Sequence, residues 1–178
     1  EKLNDANNDL HARYQTTEWK RKDGYIDVWK DDIIRRNGAI DRLGVLASEG
    51  DYEQRKKMAP QIARMLCVYL REMTRDHPAE KMPAGLEGLE ILQWANDLEL
   101  KRSDMETAAQ VLGRLHELTK VASKDLAIDL TGVNLQAMQL EGLNFEHAKM
   151  DKVPLDGAKL NGAQLNGAKL NRAQLNGA

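Results

Sequence analysis

An α-helical region running into a β-solenoid is the fold this chain predicts, with helices over residues 1–122 and a stacked repeat over residues 123–178. Three observations carry that expectation. From Asp129 onward a bulky apolar residue returns every five positions. A second, mostly smaller apolar residue sits two positions before each of them. Upstream, apolar residues instead recur three and four apart, the spacing of an amphipathic helix.

The bulky row is Leu130, Leu135, Leu140, Phe145, Met150, Leu155, Leu160, Leu165, Leu170 and Leu175. The row before it is Ile128, Val133, Met138, Leu143, Ala148, Val153, Ala158, Ala163, Ala168 and Ala173, with Ala178 continuing it. A period of five fits neither the 3.6 of a helix nor the 2.0 of a flat strand. Two inward positions separated by one residue suit a very short extended segment. The intervening Asn-Gly pairs, as in Asn161-Gly162 and Asn166-Gly167, signal a bend, because both residues tolerate unusual backbone angles. Such units bury their apolar faces only by stacking on one another.

The stretch LTGVNLQAMQLEGLNFEHAKMDKVPLDGAKLNGAQLNGAKLNRAQLNGA resembles the pentapeptide-repeat family, whose consensus is roughly Ala-(Asp/Asn)-Leu-X-X. The resemblance covers residues 128–178 and implies a right-handed quadrilateral β-helix with four units per coil. It places the bulky row on the axis and the smaller row at the corners. It turns Gln136, Glu141, Glu146, Lys149, Asp156, Lys159, Gln164, Lys169, Arg172 and Gln174 outward. Ile128, Val133, Met138 and Leu143 depart from the consensus alanine, and Pro154 stands where a polar residue is usual. Those larger residues imply that the first coil meets something apolar, most simply the preceding helices.

Within residues 1–122 the sequence predicts helices throughout. Leu3 to Lys22 is a polar helix; a second follows through Ile26, Trp29, Ile33, Ile40, Leu43, Leu46 and Ala47, ending at Gly50-Asp51. A third starts at Ala59, which keeps Pro60 in its first turn, and carries the stripe Ile62, Met65, Leu66, Tyr69, Leu70 and Met73. Residues 76–86 form a loop, and Leu89, Leu92, Ala95 and Leu98 mark another helix. Ser103 with Glu106 reads as a capping box opening the last helix. The short, closely spaced helices resemble HEAT or armadillo pairs, and a helical region that precedes pentapeptide repeats in some bacterial proteins. That resemblance implies that the helices cap the column.

The chemistry is sparse. The histidines His11, His77, His116 and His147 have no ligand spacing, and Cys67 is the one cysteine, so neither a metal site, a cofactor nor a disulfide is expected. No catalytic constellation is apparent, and the chain is expected not to be an enzyme. The expected function is a protein-interaction or scaffolding module with an unidentified protein partner, located in the cytoplasm. The resemblance also implies an alternative: some pentapeptide-repeat proteins mimic duplex DNA and bind DNA gyrase, giving quinolone resistance. The six acidic and six basic residues of 121–178 argue against that mimicry. A third expectation is a cytosolic targeting or oligomerisation region of a membrane-anchored protein, the membrane being reached only through a segment outside this chain. With a net charge of −2 and only the short basic run Lys20-Arg21-Lys22, nucleic acid is not expected as a partner. The last repeats lack a polar cap, which predicts end-to-end pairing of two copies.

Overall fold

The computed structural model describes all of residues 1–178. In chain order it contains α1 (Lys2–Asp9), β1 (Arg13–Lys20), β2 (Gly24–Asp31), α2 (Ile33–Ser48), α3 (Tyr52–Asp76), α4 (Leu89–Asn96), α5 (Ser103–Thr119) and α6 (Ser123–Leu126). The helices α2, α3 and α5 pack on one another, α1 lies on α2, and α6 touches α3 and α5. Gly44 of α2 is pressed against Val111 of α5; a β-carbon there would stand 3.2 Å from the valine methyl.

Residues 13–31 correct the expectation of helices throughout. They form an antiparallel hairpin with Trp19 opposite Tyr25 and Thr16 opposite Val28. Tyr14, Thr16, Thr17, Trp19, Tyr25, Ile26, Val28 and Trp29 are aromatic or β-branched, the residue types that suit a pleated strand. The turn closes when the Asp23 amide donates to the Lys20 carbonyl at 3.1 Å, and Gly24 follows in the left-handed region at φ 70°. That is a three-residue hairpin loop, and Asp23-Gly24 supplies its chemistry. The helical spacing of Ile26, Trp29 and Ile33 is incidental.

Two helix starts are also corrected. The third helix begins at Tyr52, seven residues before the expected Ala59, because Asp51 and Gln54 form a reciprocal capping box with both bonds at 2.9 Å. Pro60 therefore lies inside α3, where it forfeits one backbone bond. Burial of Ile62, Leu66, Tyr69 and Leu70 against the core offsets that loss. Ser103 does not cap α5: Arg102 occupies the N-cap position, the Ser103 hydroxyl accepts from Asn37, and Glu106 turns away toward the repeats.

From Leu130 the chain makes a tight turn every five residues. The Val133 amide donates to the Leu130 carbonyl at 2.9 Å, and the same bond recurs in every later unit through Ala178 to Leu175 except at Val153. The third residue of each turn is left-handed: Gly132, Ala137, Gly142, His147, Lys152, Gly157, Gly162, Gly167, Arg172 and Gly177. No continuous strand forms here, and the only sheet is the hairpin. Instead, single residues twenty apart bridge in parallel: Asp129 to Lys149, Gln139 to Lys159, Asn144 to Gln164, Lys149 to Lys169 and Pro154 to Gln174. Leu130 N donates to Lys149 O at 2.8 Å and Lys149 N to Ile128 O at 3.0 Å, so each twenty-residue tier is bonded to the next.

In the first tiers Leu130, Leu135, Leu140, Phe145, Met150 and Leu155 are fully buried, as are Val133, Val153 and Ala158. Leu160, Leu165 and Leu170 are partly buried, and Leu175 is 44% exposed. A single core of 34 buried residues runs from Ala6 to Ala158 and joins the helices to the repeats. We expect Leu155→Ala to cost about 2–5 kcal/mol of stability and Leu175→Ala less than about 1 kcal/mol, read from urea midpoints. Similar costs at the two positions would contradict this burial gradient.

Candidate functional site

The most constrained place in the molecule is the seam between the helices and the first tier. Asp129, Gln139 and Asn144 bridge only to the tier below, and Asn134 makes no bridge there, since Pro154 has no amide to donate; the amides or carbonyls of all four are left to the helices. Those groups need partners, because an unpaired buried backbone group is costly. The helices supply them. Asn134 N donates to the Thr74 hydroxyl at 3.0 Å, and Asp129 O accepts from Arg71 Nη2 at 3.3 Å, both from α3. From α5, Glu106 Oε1 accepts from Gln139 N at 2.7 Å, Gln110 Nε2 donates to Gln139 O at 2.9 Å, and the Gly113 carbonyl accepts from Asn144 N at 2.9 Å.

Gly113 also sets the closeness of the seam. A β-carbon there would lie 2.7 Å from Leu143 Cβ and 3.1 Å from Phe145 Cζ. Leu143, one of the oversized residues in the corner row, thus packs on the face of α5. Its neighbours Ile128, Val133 and Met138 are buried in the same core.

Residues 79–98 run down one side of the repeats. The Gln136 side chain accepts from Glu80 N at 2.7 Å and donates to Glu80 O at 3.0 Å. Further down, Gly157 sits under the Ala95 carbonyl, 2.2 Å from where a β-carbon would stand, and Gly177 lies 3.0 Å, by the same measure, from the Ala95 methyl. This covering strip explains two corrections to the expected solvent-facing set: Gln136 and Asp156 are buried, joined at 3.2 Å. Glu141, Lys149, Gln164, Lys169, Arg172 and Gln174 are exposed, whereas Glu146 and Lys159 are half-buried. Leu89 and Leu92 of α4, expected to face a core, are exposed; only Ala95 is buried.

On the open sides the tiers stack like on like. Lys149 bridges directly to Lys169, and Lys152 N donates to Asn171 O, which sets Lys152 above Arg172. At the turns, asparagines reach up to carboxylates twenty residues earlier: Asn161 to Glu141, Asn166 to Glu146, Asn171 to Asp151 and Asn176 to Asp156.

A buried ionic cluster ties the hairpin to the helices. Arg102 grips Asp104 with two bonds, at 2.9 and 2.5 Å, and reaches Asp31 at the end of β2 at 2.6 Å. Arg36 holds the other oxygen of Asp31 at 2.7 Å, and the Tyr69 hydroxyl donates to Asp104 at 2.5 Å. Burial and the Asp104 carboxylate push the Tyr69 hydroxyl pKa upward, so it stays protonated as a donor. Burial opposes ionisation of Asp31, but Arg102, Arg36 and Arg13 outweigh it and hold the carboxyl below its usual value. His77 Nε2 lies 3.1 Å from Arg102, while the His77 carbonyl accepts from Asn134, which links this cluster to the seam.

The remaining candidates for chemistry stay apart. His11 stacks edge-on with Tyr69, His116 bonds the Val121 carbonyl, and His147 occupies a turn. Cys67 is buried, and burial pushes its thiol up to about 11, which leaves it protonated and unreactive at neutral pH.

Comparison with known protein families gives a match over residues 128–163 and 153–178 to the family described as pentapeptide repeats, with eight copies. Residues 128–178 are thus similar to pentapeptide repeats. No curated protein and no solved structure matches the chain. Sequence reasoning missed Thr74, Glu106, Gln110 and Gly113 as seam residues; the one available signal was the set of oversized residues in the first repeats.

Gly113→Ala is expected to lower stability by about 1–3 kcal/mol, because the helix must lift off Leu143. Circular dichroism of the helices and hydrogen exchange in the repeats should lose stability together; a change confined to one part would contradict the shared seam. A second expectation concerns pH. The folded pKa of Asp31 is depressed, so its contribution is complete above the unfolded value of about 3.9 and is lost as pH falls through the folded one. Asp31→Asn should therefore flatten the fall of the thermal midpoint below about pH 4.

Proposed function

We propose that this chain is a non-enzymatic interaction module in which the pentapeptide repeats form a right-handed quadrilateral β-helix closed at one end by helices. The observation that carries the reading is the hydrogen-bonded seam. Thr74, Glu106, Gln110 and Gly113 pair the upward backbone of the first tier, so the column is held rigidly with its outer faces presented to a partner. Bonds that join residues about twenty apart support four five-residue units per coil. Rigid repeat columns act through extended surfaces, which suits protein binding better than catalysis.

The DNA-mimic reading requires a continuous negative face. The stacking of Lys149 on Lys169, beside Lys152 and Arg172, works against it. No helix is long and apolar enough to cross a membrane. A cytoplasmic module, alone or as part of a membrane-anchored protein, remains the setting we propose.

The partner favoured by a specific observation is a second copy. In this chain the amides of Leu160, Leu165, Leu170 and Leu175 have no backbone partner, and Leu175 is 44% exposed beside them. Two columns stacked end to end would pair those groups. Sedimentation equilibrium is expected to find a dimer that dissociates on dilution, and Leu175→Lys should leave a folded monomer. A wild-type chain that is monomeric at every concentration would remove the end-on contact from the proposal.

A further inference from the structure

The hairpin packs on no other helix or strand of the chain. Its strands pair with each other, and the body holds it at its base, through Asp31 and the Ala12 carbonyl. Eight residues per strand carry its tip about 26 Å away. A two-stranded ribbon with both faces in water is marginal on its own, so its exposed apolar surface calls for an occupant.

The composition of the outer end says which. Trp19 and Tyr25 stand directly opposite each other on one face, 62% and 79% exposed, and Trp29 follows on the same face at 55%. Immediately beyond that aromatic rung comes the turn with Lys20, Arg21 and Lys22. The other basic residues of the hairpin are engaged: Lys30 pairs with Glu18, and Arg13 with Asp31. The three at the tip have no ion-pair partner, and only Asp23 opposes them there.

We propose that the hairpin tip docks on an anionic lipid bilayer surface, with Lys20, Arg21 and Lys22 against the lipid phosphates and Trp19 and Tyr25 in the interfacial layer. Trp and Tyr favour the membrane–water boundary, because their rings are apolar and their N–H or O–H is not. Basic side chains beside them gain from the negative surface potential of an anionic leaflet, at about fivefold in binding per charge. A plane is met by the tip alone. A nucleic acid strand laid along the aromatic face would instead run over Asp27 and Asp31, in a chain of net charge −2. A second copy meeting tip to tip would oppose like charges. The proposal is independent of the repeats.

The test uses the full chain with phosphatidylcholine vesicles, with and without about a third phosphatidylglycerol, read by co-sedimentation and tryptophan emission. Binding and a blue shift are expected with the anionic vesicles only, and both should weaken with salt. Replacing Lys20, Arg21 and Lys22 together by Gln should lower the partition coefficient by about 100-fold. Trp19→Ala with Tyr25→Ala should also weaken binding, while helical circular dichroism stays unchanged because the tip touches no helix. Absence of binding, or binding unaltered by the Gln variant, would overturn the proposal. So would a blue shift that rises with protein concentration without lipid, which assigns the face to a second copy. Displacement from vesicles by a single-stranded oligonucleotide at equal phosphate concentration would overturn it in favour of nucleic acid.

Discussion

A backbone amide that faces away from its neighbouring tier must still find a hydrogen-bond partner, and the architecture of this chain turns on that requirement. Within the repeats each tier bonds to the next, so the need arises only at the ends. At the first tier it is met by side chains of α3 and α5 and by one helical carbonyl, that of Gly113. The last is possible only because Gly113 lacks a side chain and lets α5 approach Leu143 and Phe145. Polar pairing and apolar packing are therefore satisfied by the same approach of the same helix. Helix positions that pack poorly elsewhere gain their purpose there: Glu106 and Gln110 point out of the helical layer because the tier below needs an acceptor and a donor.

The ionic cluster around Asp31 serves a different end. Arg102, Asp104 and Tyr69 are buried, and desolvating them is costly unless every oxygen is paired. All four carboxylate oxygens of Asp31 and Asp104 are bonded, with Arg102 bridging the two residues. A well-packed apolar set can give similar stability; what the cluster adds here is geometry, since Arg36 and Arg102 hold the two oxygens of Asp31 at the base of the hairpin. Because Asp31 lies at the end of β2 and Asp32 caps α2, one short stretch of chain defines both where the hairpin leaves the body and where the helices begin.

The repeats were legible in the sequence because their determinants are local. A bulky inward residue, a small or polar turn and a left-handed third position recur in each five-residue unit, and no distant contact is needed to recognise them. Most helices were legible for the same reason. The failures share the opposite cause. Ile26, Trp29 and Ile33 fit a helical period, yet they belong to a strand and to the start of α2, and Asp23-Gly24 was the overlooked signal. Ser103 and Glu106 have the spacing of a capping box, but each found a partner from another part of the chain. Gln136 and Asp156 are polar residues at nominally outward positions; only the path of residues 79–82 buries them, and no periodicity encodes that path.

Net charge was the least informative sequence quantity. Residues 121–178 sum to zero, but the twenty-residue tier decides which charges become neighbours. It sets Lys149 on Lys169, at a spacing of about 4.8 Å between tiers, where repulsion is largest. It also sets Asn171 and Asn176 under Asp151 and Asp156, where an amide satisfies the carboxylate without a countercharge. The acidic positions of the column are thereby occupied by internal bonds, whereas the stacked lysines have no ion-pair partner. An asparagine amide bonds a carboxylate without cancelling its charge, so the column stays neutral, while the stacked lysines interrupt any continuous negative face of the kind needed to imitate nucleic acid. In the hairpin Glu18 and Asp31 are ion-paired, whereas Lys20, Arg21 and Lys22 are gathered at the tip without a salt-bridge partner. In both places it is the order in which the fold brings residues together, rather than their summed charge, that decides where cations stand side by side at the surface.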